Sequence, residues 1–211
     1  MLLNRDCMDA FKMMSDNSVD FTLTDIPYAE VNRPSNGLRK LDKQHADIIT
    51  FDLIDFLKEV HRVTKNSLVI FCGRKQFSGI YEFLSNQKGT AKPIVWHKTN
   101  PSPMNGRHVY LSGIEMGIWF KKRGAKTFNA HCKTPVFKHS NGTSKMHPTE
   151  KNHKLLEELI LDNSNEGDIV FDPCMGSGSH LMVAKKLNRK YFGVEINKEC
   201  FEMAKERIEN D

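Results

Sequence analysis

Hydrophobic positions along this chain alternate between two rhythms, and the alternation predicts its architecture. Leu2-Leu3 opens a short strand ending at Asp6. Cys7, Ala10, Phe11 and Met14 then fall at i, i+3, i+4 and i+7, one face of a helix. Residues 19–23 read as a buried strand that stops at Thr24-Asp25-Ile26-Pro27-Tyr28, where proline marks a sharp exit. Residues 29–46 lack a period and are rich in Asn, Arg, Lys and Gly, which predicts a mobile loop. Leu53, Phe56, Leu57, Val60 and Val63 form a helical stripe, 67–72 a strand, and Phe77, Ile80, Tyr81 and Leu84 another helix. Residues 93–96 and 116–120 predict two strands paired antiparallel, joined by a turn-rich loop over 98–112. Residues 121–146 carry little core-forming pattern. Leu155, Leu156, Leu159 and Ile160 then share a helix face, followed by a strand at 169–171, a glycine-rich turn, a helix over 180–187 and a strand at 191–194 ending at Glu195. A last helix buries Phe201, Ala204 and Ile208. Strands alternating with helices predict an open α/β sheet, mostly parallel, with helices on both faces. Ligands of such sheets sit at the carboxyl ends of the strands.

The length of 211 residues suits one domain over 1–211 with a sizeable core. The charge is uneven. Between Phe83 and Thr149 eleven cations face one acid, Glu115, so this stretch carries +10 of a net +5 and the remainder −5. Such asymmetry points to a polyanionic partner. Five scattered cysteines fit reduced thiols in a cytoplasm. Arg5, Asp6 and Asp9 argue against a signal peptide, and no apolar run reaches membrane-spanning length.

Chemistry concentrates at Asp172-Pro173-Cys174-Met175-Gly176-Ser177-Gly178-Ser179. The strand–turn–helix context is that of a cofactor turn: glycines let a ligand approach the backbone, and the helix start offers unpaired N–H groups. The turn lacks the Lys of a phosphate-cradling loop and does not spell G-x-G-x-x-G. An acid at the strand end suits a cofactor bearing positive charge. Asp6, Asp25, Asp172 and Glu195 all fall at predicted strand ends, which a parallel sheet brings to one edge. For Asp6, helix N-capping is an equal alternative. His131, Cys132, His139 and His147 match no structural zinc spacing, so no metal is expected.

These segments resemble the motifs of amino-group DNA methyltransferases. Asp25-Ile26-Pro27-Tyr28 is similar to the family's D-P-P-Y catalytic motif, and 171–179 to its D-P-F-x-G-S-G-T cofactor turn. His147-Pro148-Thr149-Glu150-Lys151 resembles H-P-T-Q-K-P, and Gly193-Val194-Glu195 the acidic strand end that holds the cofactor ribose. Trp96-His97-Lys98-Thr99-Asn100 with Pro103 resembles W-x-K-x-N-x-x-P. The catalytic motif precedes the cofactor turn, the circularly permuted order of the family's β class. The resemblance implies a Rossmann-like class I methyltransferase sheet that uses S-adenosylmethionine.

It further implies Asp25, Ile26, Pro27 and Tyr28 as catalytic residues. Asp25 and the Ile26 carbonyl would hold the amino hydrogens, and Tyr28 would stack on an extruded base. Cofactor contacts would come from Asp6, Cys7, Asp25, His147, Thr149, Lys151, Asp172, Pro173, Cys174, Gly176, Gly178, Ser179 and Glu195. Ile26 for proline, Cys174 for phenylalanine, Glu150 for glutamine and Asn152 for proline depart from the family pattern. The opening Asp resembles enzymes acting on N6 of adenine. N4 of cytosine and a non-catalytic DNA- or cofactor-binding relative are the alternatives, and RNA is a further substrate class a basic surface does not separate from DNA. Double-stranded DNA is the expected partner, contacted by loops 29–46 and 121–146 and by Arg33, Arg39, Lys40, Lys98, Asn100, Lys121, Lys122 and Arg123. So small a reader implies a short recognition site or a homodimer, and the family's place in restriction systems makes a cognate endonuclease a candidate partner.

Overall fold

The computed structural model describes residues 1–28, 49–103, 106–141 and 151–210. The predicted mobile loop and the H-P-T segment, with Arg33, Arg39, Lys40, His147 and Thr149, lie outside these residues. The elements, in order, are β1 (Leu2–Asn4), α1 (Cys7–Phe11), β2 (Val19–Asp25), α2 (Leu53–Val63), β3 (Thr64–Phe71), α3 (Arg74–Ser85), β4 (Gly89–Lys98), β5 (Ile114–Lys122), β6 (Val136–His139), α4 (His153–Asn163), β7 (Ile169–Asp172), α5 (Ser179–Lys186), β8 (Lys190–Glu195) and α6 (Lys198–Asn210).

The eight strands described form one sheet in the order β1-β8-β7-β2-β3-β5-β4-β6. β5 pairs antiparallel with both β3 and β4, and every other pairing is parallel. Seven strands therefore run one way and β5 alone runs back. The predicted antiparallel pair is present, as β4 and β5. β6 was not expected: its Val136 and Lys138 are exposed, so only Phe137 of the four residues contributes a core side chain, and so brief a strand shows no alternation.

Strand alternation divides the core in two. Val69 and Phe71 of β3 join Leu155, Leu156, Leu159 and Ile160 of α4 and the apolar sides of α5 and α6. Leu68 and Ile70 join Phe56, Leu57 and Val60 of α2 and Ile80 and Leu84 of α3 on the other face. Helix starts follow the polar sequence: Asp52 caps α2 by accepting from the Ile54 and Asp55 N–H groups, and Asn152 caps α4 from Lys154 and Leu155. Met14 falls beyond α1, which stops after five residues. Among the described residues no helix is long and apolar enough to cross a membrane.

The glycine turn is shaped by two left-handed residues, Gly176 (φ 50°) and Gly178 (φ 76°). Gly178 caps α5, and a Cβ there would stand 2.9 Å from Ala204 Cβ and 3.1 Å from Ile208 Cδ1. A side chain at 178 therefore meets both backbone strain and α6. Gly178→Ala should lower unfolding free energy by about 2 kcal/mol or more, the sum of the left-handed penalty and overpacking. Urea denaturation measures this, and an unchanged midpoint would contradict the strained-turn assignment.

Candidate active site

Because seven strands are parallel, their carboxyl ends share one edge of the sheet, which also receives the start of β5. Register aligns Asn4 with Glu195, Asp172 with Gly193, Asp25 with Phe71, and Trp96 with Glu115. The Asp25 tetrapeptide and the glycine turn sit on adjacent strands. They are joined directly: the Thr24 hydroxyl donates to Asp172 Oδ1 at 2.8 Å.

Asp25 is held by one cation. Lys151 Nζ donates to Asp25 Oδ2 at 2.5 Å, to Glu115 Oε2 at 2.7 Å and to the Tyr28 hydroxyl at 3.2 Å, which uses all three of its donors. Lys151 is 5% exposed, and its ammonium lies 5.0 Å from the Phe71 ring, 5.6 Å from Tyr28 and 6.0 Å from Trp96. Burial opposes its charge, yet Asp25, Tyr28 and Glu115 keep its pKa well above the ordinary lysine value. Glu115 Oε1 accepts from Lys98 Nζ at 2.5 Å, so four alternating charges, Asp25, Lys151, Glu115 and Lys98, form a neutral row. Burial works against the Glu115 carboxylate, but Lys151 and Lys98 together hold its pKa below the usual value. Burial and the neighbouring Asp25 push the Cys72 thiol up to about 12 and the Tyr28 phenol far up, so both stay neutral.

One atom in this row is unsatisfied. Asp25 Oδ1 is buried and has no hydrogen-bond partner among the described residues. A lone buried carboxylate oxygen is costly unless a donor reaches it. The tetrapeptide behind it is fixed by two bonds: Ile26 N–H donates to the Phe71 carbonyl at 3.1 Å, and Gln76 Nε2 to the Pro27 carbonyl at 2.9 Å. Gln76 Oε1 in turn accepts from Gly73 N–H at 3.0 Å, at the start of α3.

The glycine turn is organised by two acids. Asp172 is fully buried; its Oδ1 accepts from Thr24 and from Cys174 N–H at 3.0 Å, and its Oδ2 meets His180 Nδ1 at 2.5 Å. Glu195 Oε2 accepts from Gly176 N–H at 2.9 Å and its Oε1 from Asn197 N–H at 2.8 Å. Glu195 is thus held by backbone N–H groups rather than by a cation, and burial raises its pKa.

Several placements differ from the sequence reading. Asp172 has both oxygens engaged inside the protein, so it shapes the turn instead of presenting a free carboxylate. Asp6 is the N-cap of α1, accepting from Met8 N–H at 2.8 Å, and its second oxygen accepts from Thr50 at 2.7 Å. Lys151 is committed to Asp25 and Glu115, not free for a ligand carboxylate. Lys98 is spent on Glu115, and Asn100 Oδ1 accepts from Asn141 N–H at 2.5 Å, so neither is a free phosphate contact. Lys121 and Lys122 end β5 at the opposite edge and Arg123 follows them: Lys121 pairs with Ser67, four residues or about 13 Å below the Gly117–Phe71 rung that adjoins Asp25. Lys122 donates to Asn17 there. The antiparallel run of β5 carries these cations away from the sheet edge that holds Asp25.

Four residues of the site were not foreseen: Thr24, Gln76, Glu115 and His180. Glu115 alone had a signal, as the one acid in a long basic stretch. Pro173, Cys174, Gly176 and Gly178 lie in the turn, Ser179 opens α5, and Cys7 stands near Cys174.

The DNA methylase family profile, which covers N6 and N4 enzymes, matches residues 19–137 and 130–206. The type II methyltransferase M.HpaI of Haemophilus parainfluenzae is 32% identical over 244 residues, spanning 100% of this chain and 74% of its own length. M.HinfI of Haemophilus influenzae is 26% identical over 98% of this chain and 67% of itself. Among solved structures, the M1.HpyAVI–SAM complex superposes with a TM-score of 0.76 at 28% identity over 98% of both chains. The cytosine-N4-specific PvuII DNA methyltransferase shares the fold, with a TM-score of 0.77 at 18% identity over 98% of this chain and 85% of its own.

Lys151→Met should cost about 3 kcal/mol or more at neutral pH, because it leaves two largely buried carboxylates facing each other. Glu115 has its pKa lowered on folding, so its share of stability is present above pH 4.5 and fades as pH falls through the folded value. The gap between variant and wild type should therefore narrow in acid. Urea denaturation from pH 7 to 4 checks this, and a pH-independent gap would contradict the charge row.

Proposed function

Because the chain belongs to the N6/N4 family of DNA methylases, we propose that it transfers a methyl group from S-adenosylmethionine to N6 of adenine in double-stranded DNA. The unpartnered Asp25 Oδ1 carries this reading: it is an acceptor without a donor, at the tip of the strand beside the cofactor turn. An exocyclic amino group supplies that donor.

The lone pair of such an amino group is delocalised into the base ring. Accepting one amino hydrogen at Asp25 Oδ1, with the Ile26 carbonyl for the second, directs the lone pair out of that plane. Asp25 also stabilises the positive charge that builds on nitrogen as the new bond forms, which is electrostatic assistance rather than covalent catalysis. Lys151 fixes the other oxygen, so the carboxylate does not rotate, and it anchors the Tyr28 hydroxyl. Tyr28, with its ring so held, stacks on the extruded base. When bound, S-adenosylmethionine supplies an electrophilic methyl on a sulfonium cation. The turn suits it: Glu195 is a carboxylate without a cationic partner among the described residues, able to take ribose hydroxyls, and a Cβ at Gly176 would meet nothing within 4 Å, so the backbone there is open to a ligand. Cys7 and Cys174 flank this space, with Asp172 and His180 supporting it from below. The type II designation of the relatives supports a restriction–modification setting, with a cognate endonuclease as partner. The opening Asp of the tetrapeptide favours adenine over cytosine.

Nucleoside mass spectrometry of DNA incubated with labelled S-adenosylmethionine should show N6-methyladenine, and N4-methylcytosine alone would reject adenine. Asp25→Ala should lower kcat by about 10²- to 10³-fold, the loss typical of a transition-state charge contact; unaltered turnover would reject its role. Glu195 has a pKa raised above 4.5, so its acceptor form is lost progressively as pH falls toward that range. Calorimetric affinity for S-adenosylmethionine should decline on acidification in the wild type, and Glu195→Gln should be weak and nearly flat with pH.

A further inference from the structure

The loop from β4 to β5 leaves the sheet at the edge that carries Asp25. Its stem is tied down: Lys98 N–H donates to the Gly113 carbonyl and Gly113 N–H to the Leu111 carbonyl, both at 2.7 Å, and Gly106 N–H to the Pro103 carbonyl at 3.1 Å. Above that stem the chain exposes large apolar side chains in a cluster. Val109 is 62% exposed and Leu111 42%, Ile114 on the last rung of the β4–β5 ladder beneath them is 57% exposed, and Tyr110 is 101% exposed, its whole side chain in solvent. Leu111 folds over the turn at Gly106, where an added Cβ would stand 2.8 Å from Leu111 Cδ2, so the turn backs the tip. Exposed Arg107 and His108 stand beside it.

We propose that Tyr110, flanked by Val109 and Leu111, is a wedge that enters the DNA duplex and fills the space left when the target base is extruded toward Asp25. The inference rests on the DNA-methyltransfer reading of the site. Three observations select DNA as the occupant. The hairpin stem is continuous with the site, since Glu115 and Lys98 at its two feet belong to the charge row that positions Asp25. Charge is complementary at the tip itself: exposed Arg107 stands beside it, and the one acid between Phe83 and Thr149, Glu115, is already paired with Lys98 and Lys151. The apolar tip is also too small for a stable protein interface: four side chains cover well under the ~800 Å² per partner that such contacts need. A projecting aromatic on a supported turn is instead the shape that unstacks one base step. Extrusion costs unpairing and unstacking energy, and an aromatic stacked in the gap recovers part of it.

The test compares two duplexes carrying the recognition site, itself read from methylated positions in DNA of an expressing host. In one the target base is paired; in the other it faces an abasic position and is already unpaired. Tyr110→Ala should lower kcat/KM about tenfold to a hundredfold on the paired duplex. On the unpaired duplex it should act within about twofold of wild type, and Tyr110→Trp should retain activity on both. Affinity for S-adenosylmethionine should not change. An equal defect on both duplexes, no defect on either, or a dimer that dissociates on Tyr110→Ala in sedimentation would each overturn the wedge. Absence of methyl transfer by the wild type to either duplex would overturn the reading of the site itself, and the wedge with it.

Discussion

Two carboxylates at the tips of strands in a largely dry edge stay together only with a cation between them. Asp25 on β2 and Glu115 on β5 are separated by β3, a span of about 10 Å. The Lys151 ammonium bridges them from above the Phe71 ring, and its third donor reaches Tyr28. The residue just before the cap of α4, the antiparallel hairpin and the Asp25–Tyr28 tetrapeptide thus converge on one atom. Because that cation takes a single oxygen of Asp25, the second is left buried without a donor among the described residues, and the chemistry proposed for the site follows from that asymmetry.

The cofactor side is built on a different principle. There, acids are neutralised by dipoles: Asp172 by a threonine hydroxyl, a backbone N–H and a histidine, Glu195 by two backbone N–H groups. A site that must receive a sulfonium cation is better left without fixed cations of its own. The Thr24–Asp172 bond couples the two halves, so the strand bearing Asp25 and the glycine turn are set in one frame.

Much of this was legible in the sequence. Apolar periods gave the helices and most strands, because each element buries one face and leaves the other wet. The motif order put the Asp25 tetrapeptide and the glycine turn on neighbouring strand tips, since parallel strands end on one edge of the sheet. What escaped had physical reasons. β6 buries Phe137 and little else, too short a signal to register as a strand. Lys151, Lys98 and Asp172 look from sequence like ligand contacts because they are charged and near motifs; only packing reveals that the lysines are taken up by Asp25 and Glu115, and Asp172 by Thr24, His180 and a backbone N–H. Direction along a strand mattered most for Lys121, Lys122 and Arg123. They lie at the end of the one described strand that runs backward, and charge counting carries no sense of which end of a strand faces the ligand.

The hairpin of β4 and β5 has a continuous ladder from Gly89–Lys122 to His97–Ile114, and its feet are locked by the ion pair of Lys98 with Glu115. Everything beyond that lock can change length or composition without disturbing the strands beneath. Evolution, or a protein engineer, could therefore graft new recognition segments at this tip while the catalytic apparatus below keeps its geometry.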